Sequence, residues 1–198
     1  LNVRPRTHRR RSIRLKNYDY TQAGGYFITI CAHDWECIFG EIADGTMRKN
    51  QYGAIIQEEW LRTPKIRPEI MLDAFIVMPN HFHGVIIINE AVGATRRVAP
   101  TEEDEMDCSS IEHGRPRGPA QGSLGAIIGQ LKSVAAKRIN RFRGTPGAMV
   151  WQRNYYEHVI RNDKDLDEIR EYIVNNPARW AEDENNRQRR PAGPPLRL

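Results

Sequence analysis

The 198-residue chain is poor in cysteine, with Cys31, Cys37 and Cys108 as its full complement. An odd count without metal-finger spacing excludes a disulfide framework and points to a reducing, cytoplasmic setting. No apolar run approaches the ~18–20 residues that a helical membrane span requires. The charged N-terminus has no hydrophobic segment behind it, so a secretory signal is not expected. No internal repeat is visible. Acidic residues are missing from positions 1–16, which instead carry Arg4, Arg6, Arg9, Arg10, Arg11, Arg14 and Lys16.

What remains is the composition of a globular protein, with 39% hydrophobic and 28% charged residues. The length suits one domain with tails: a basic arm over 1–17, a core over 18–180 and a polar tail over 181–198. Net charge is +5, with a pI near 9.3. Basic clustering of this kind suits a polyanion, nucleic acid being the commonest, although a solvated tail would read the same way.

The chain is organised around Ala74–Ile88, in which two β-branched runs flank Met78-Pro79-Asn80 and a His-Phe-His triplet opens the second. Residues two apart on a strand share a face, so His81 and His83 stand side by side while Phe82 turns into the core. Such a pair is half of a divalent-metal site, or simply two polar groups at the mouth of a sheet. Tyr26–Cys31 reads as a further strand, and residues near Phe39 and Ile42 as a short hairpin turning at Asp44-Gly45. The spacing predicts a helix over 50–62 ended by Thr63-Pro64, and another over 123–143 with an apolar stripe from Leu124 to Phe142. A strand-like run over 149–160 and a last helix from Asn162 or Asp163 to Pro177 complete the order. Residues 91–121, acidic and then rich in Gly, Pro and Arg, read as a mobile surface loop.

The last helix carries Tyr172 and Asn176, one turn apart on one face. A tyrosine hydroxyl can be a covalent nucleophile if its ionisation is assisted, and Asn176 can add an oxygen ligand to the two imidazoles. Two His nitrogens and an amide oxygen with open positions would suit Mg²⁺ or Mn²⁺. Taken singly, Tyr172 is equally a helix-edge aromatic and Asn176 a helix terminator. Candidate nucleic-acid contacts are Arg9, Arg10, Arg11 and Arg14 of the arm, Lys132, Lys137, Arg138 and Arg141 of the 123–143 helix, and Arg153 and Arg161.

In combination these motifs resemble a known family. Met78-Pro79-Asn80-His81-Phe82-His83-Gly84 resembles the HUH motif (His, hydrophobic, His) of single-tyrosine transposases. Val150–His158, followed by Tyr172-Ile173-x-x-Asn176-Pro177, is similar to the REP-associated branch, domesticated relatives of small insertion-sequence transposases that act on palindromic repeats. The resemblance runs from about Tyr18 to Trp180. It implies an α+β, ferredoxin-like antiparallel sheet with helices packed on one face. It also implies that His81 and His83 bind a divalent metal, Asn176 completes the site and Tyr172 is the nucleophile. Tyr155 and Tyr156 are nearby alternatives, disfavoured because neither has a metal partner one helical turn away. The implied reaction cleaves and rejoins single-stranded or hairpin DNA through a 5′-phosphotyrosine. A non-catalytic hairpin-binding regulator and a metal-dependent hydrolase are the competing expectations. Insertion-sequence relatives work as dimers and the REP-associated branch resembles monomers, so monomer and homodimer both stay open.

Overall fold

A computed structural model describes residues 18–89 and 119–186. The basic arm with Arg9, Arg10, Arg11 and Arg14, the acidic cluster at 102–107 and residues 187–198 of the tail lie outside the described residues. In chain order the elements are β1 (Gly24–Cys31), β2 (Gly40–Ala43), β3 (Thr46–Lys49), α1 (Gln51–Ile66), β4 (Ile70–Val77), β5 (His81–Ile88), α2 (Leu124–Phe142), β6 (Tyr156–Ile160) and α3 (Asp163–Asn175). Strands β4-β5-β1-β6 form one antiparallel sheet in that order, and β2-β3 form a separate hairpin. This is the ferredoxin-like α+β arrangement that the motifs imply.

Alternation along the strands gives the sheet two different faces. On one, Tyr26, Ile28 and Ile30 of β1 join Phe82 and Ile86 of β5 beneath Trp60 of α1 and the Leu124, Ile127, Ile128 and Leu131 stripe of α2. Close packing there depends on Gly84, because a Cβ would lie 2.7 Å from the Trp60 ring and 2.9 Å from Phe82. On the other face Phe27, Thr29, His81, His83 and Val85 line up, and α3 crosses them with Ile173 fully buried against Phe27 and Val85. The one-face helix packing therefore describes α1 and α2, while α3 occupies the opposite side.

Each helix begins where a side chain can satisfy its free amides. Asn50 accepts from the Tyr52 and Gly53 amides, Ser123 from Ala126 and Asn162 from Asp165. The helix expected to stop at Thr63 continues to Ile66 with Pro64 inside its last turn, and the Arg67 amide closes onto the Thr63 carbonyl. Phe142, expected in the α2 stripe, is 62% exposed, with its ring set edge to face against Tyr52. The strand expected over 149–160 is shorter, because residues before Tyr156 form a loop joined to the sheet by one Ala32–Trp151 bridge. Among the described residues no helix is long and apolar enough to cross a membrane.

Candidate metal centre and active site

His81 and His83 pair with Cys31 and Thr29 across the β1–β5 ladder, at the end of β5 nearest the Met78-Pro79-Asn80 turn. Both are buried, and their rings meet edge to face with centroids 4.4 Å apart. His83 Nδ1 lies 2.8 Å from Thr29 Oγ1, and His81 Nδ1 lies 2.8 Å from Asn80 Oδ1. Anchoring of one ring nitrogen leaves the other directed to a common point, as in metal-binding histidines. Burial holds the His81 imidazolium down to about 3. His83 is pushed well below its ordinary value by burial and by His81, with Asp183 acting in the opposite sense. Both are thus neutral at pH 7, the form that ligates metals.

The third contributor is Asp183, from a segment that the sequence offers no reason to select. The start of the segment read as a polar tail forms a 3-10 turn over Trp180–Glu182 and folds back to Asn186. The Asp183 side chain is 1% exposed, and its Oδ2 lies 3.8 Å from His81 Nε2. One donor atom from each of His81, His83 and Asp183 falls within 4.8 Å of the others. Asn176 joins them: its amide nitrogen donates to Asp183 Oδ2 at 2.8 Å, while its Oδ1 is buried without a hydrogen-bond partner. His81 Nε2 is also buried without one. Two orphaned acceptors beside a buried carboxylate are costly unless a cation meets them. His81, His83 and Asp183 thus form a possible site for a divalent metal ion, with the Asn176 amide beside it.

Tyr172 projects from the same face of α3 as Asn176. Its hydroxyl lies 3.3 Å from His83 Nε2, and its ring stands edge-on to His83 and Phe27. Burial, followed by the charge of Asp183, raises the phenol to about 12, with a hydrogen bond to Asn176 opposing the rise. The side chain nevertheless remains open to solvent, the residue being 43% exposed. Helix α3 is pinned at this position by Arg170, which donates to both carboxylate oxygens of Asp73 at 2.8 and 2.6 Å. Asp73 is available because β4 carries a bulge between Leu72 and Phe75, which turns it out of the ladder toward α3.

A cleft of about 730 Å³ runs from His83 and Tyr172 along Trp35, Arg153, Tyr155 and Tyr156. Tyr155 also packs against the main core, and Tyr156 is exposed at the cleft wall. Of the other proposed contacts, Arg153 lines the cleft, and Lys137, Arg141 and Arg161 are exposed elsewhere. Lys132 is directed inward: its ammonium donates to the carbonyls of Gln152 at 2.6 Å, Asn154 at 3.1 Å and Arg153 at 3.4 Å. Burial lowers it to about 8, and it fixes the loop that forms one cleft wall. Arg138 is held by Glu58 and Glu59 at 2.6 and 2.5 Å, which ties α2 to α1.

No protein-family model matches the chain. It is 38% identical over 182 residues to an uncharacterized protein of Haemophilus influenzae, a match covering 89% of this chain and 93% of that one. Among solved structures it is similar to a REP-associated tyrosine transposase bound to a REP hairpin, with a TM-score of 0.52 and 17% identity. That alignment covers 84% of this chain and 74% of the other, and at this identity it establishes a common fold.

Proposed function

We propose, for a chain that belongs to one family with the Haemophilus influenzae protein and has the fold of a REP-associated tyrosine transposase, a metal-dependent DNA strand-transfer activity. The substrate class is single-stranded DNA that folds into a hairpin, and Tyr172 is the nucleophile. One observation carries the reading: the Tyr172 hydroxyl stands 3.3 Å from His83 Nε2, at the edge of a buried cluster whose His81 Nε2 and Asn176 Oδ1 have no hydrogen-bond partner.

His81, His83, Asn176 and Asp183 would hold the cation, which when bound supplies Lewis-acid polarisation of a phosphate oxygen. At neutral pH the phenol is protonated, so Tyr172 must give up its proton as its oxygen attacks phosphorus. The new bond joins the tyrosine oxygen to the 5′-phosphate, and the broken P–O bond leaves a 3′-hydroxyl. Attack by a 3′-hydroxyl on the phosphotyrosine reverses the exchange, so joining needs no external energy source. His83 Nε2 faces the phenol at 3.3 Å and could not serve both it and a cation. With the histidines engaged, Tyr172 would be free to face the cleft, where aromatic rings and Arg153 would supply the stacking and charge that single strands require.

The test uses end-labelled single-stranded hairpin DNA from the region beside the gene, with Mg²⁺ or Mn²⁺, resolved on a denaturing protein gel. A labelled adduct that requires both metal and Tyr172 is expected. Persistence of the adduct in Tyr172→Phe would remove Tyr172 as the nucleophile. Hairpins that are bound but never cut would instead identify a non-catalytic regulator on this scaffold.

A further inference from the structure

We propose that Asn80 is the positioning residue of the candidate centre, with a single buried amide setting both the orientation of His81 and the place of Asp183. The inference rests on the functional reading only in calling that cluster a metal centre. Asn80 is 1% exposed, in the turn between β4 and β5. Backbone bonds fix that turn, the Ala32 amide donating to the Asn80 carbonyl at 2.8 Å and Phe39 to the Pro79 carbonyl at 2.9 Å. The side chain therefore leaves from a rigid base.

Its Nδ2 donates to the Trp35 carbonyl at 3.2 Å and the Asn185 carbonyl at 2.8 Å. Both partners are pure acceptors, so the amide can face only one way and its Oδ1 must accept from His81 Nδ1 at 2.8 Å. Hence the His81 proton is on Nδ1, and the lone pair of Nε2 faces Asp183 Oδ2 at 3.8 Å. Two lone pairs opposed across that gap do not attract each other. Something must hold the carboxylate there, and Asn185 does so: its backbone N–H donates to Asp183 Oδ1 at 2.6 Å. The residue that Asn80 grips by its carbonyl thus grips Asp183 by its amide. The Asn176 amide, which donates to Asp183 Oδ2 at 2.8 Å, is a further hold on this segment, whose Glu182 and Glu184 are exposed.

Two readouts on the full-length, metal-free protein test this directly, and a third adds the metal. In ¹⁵N-labelled wild type, His81 should show the Nδ1–H tautomer and the Asn185 amide should exchange slowly. Asn80→Ala should lose the tautomer preference, speed exchange at Asn185 at least about tenfold and weaken Mn²⁺ uptake, measured by calorimetry, by about 10–100-fold. Asn80→Asp, which preserves volume if the alanine variant fails to fold, keeps the acceptor but loses both N–H donors. It should retain the Nδ1–H tautomer while speeding exchange at Asn185. An unchanged tautomer and unchanged exchange in a folded Asn80→Ala would overturn the inference. Failure of the wild type to take up Mn²⁺ would overturn the metal reading instead, leaving the metal-free readouts to decide the role of Asn80.

Discussion

Acid should destabilise this protein through His81, with a sign opposite to that of a histidine held as an ion-paired imidazolium. The ring is fully buried and its conjugate acid is held down to about 3 by burial, against about 6.5 in an unfolded chain. Below that unfolded value the unfolded state takes up a proton that the folded state refuses. The contribution is therefore complete above pH 6.5 and is lost as the pH falls toward 3. At about pH 5 the loss from His81 is about 2 kcal/mol, from about 1.5 pH units at about 1.4 kcal/mol each. His83, also pushed down by burial, acts in the same direction. Against a typical total of about 5–15 kcal/mol, the effect is large enough to measure. Urea unfolding of metal-free wild type and His81→Gln, followed by circular dichroism at about pH 7.5 and about pH 5, isolates it. The stability difference between the two proteins should shift by about 2 kcal/mol against the wild type on acidification. A shift of the opposite sign would mean that Asp183 holds His81 as an imidazolium, and would refute the neutral-ligand argument.

Other consequences can be measured as directly. Saturation with Mn²⁺ at about 100 times its dissociation constant should raise stability by about 2.7 kcal/mol, reversed by a chelator and absent in His83→Ala, as read by thermal melting. Gly84→Ala drives a methyl group to within 2.7 Å of Trp60 and should cost about 1–3 kcal/mol in urea unfolding, with no change in m-value. Lys132→Met leaves the carbonyls of residues 152–154 without their shared donor, and should weaken hairpin DNA binding in gel shifts while costing about 1–3 kcal/mol of stability. Spectrophotometric titration of metal-free protein should find one tyrosine ionising near pH 12 that disappears in Tyr172→Phe.

The legible parts of this protein are those governed by periodicity. Alternation placed His81 and His83 together opposite Phe82, and the i, i+4 rule put Tyr172 and Asn176 on one face of α3. Both follow from local backbone geometry, which the sequence carries in full. Asp183 was not legible because its burial comes from contacts across the chain, to Asn176 and to a segment held by Asn80, and no local period records such contacts. The inward turn of Lys132 has the same origin: α2 predicts a basic residue there, and only the loop at 152–154 decides which way it faces. Pro64 misled for a different reason, since in the last turn a helix can lose one amide bond without ending.

The candidate centre draws on chain positions a hundred residues apart: His81 and His83 lie on β5, Tyr172 and Asn176 at the end of α3, and Asp183 beyond them. During synthesis the sheet strands β1, β4 and β5 are made long before the last donors leave the ribosome. A nascent or prematurely terminated chain can therefore hold two histidines and much of a core without Tyr172 or Asp183. The cluster of His81, His83 and Asp183 can close only after translation has passed residue 185, so its assembly is tied to completion of the fold.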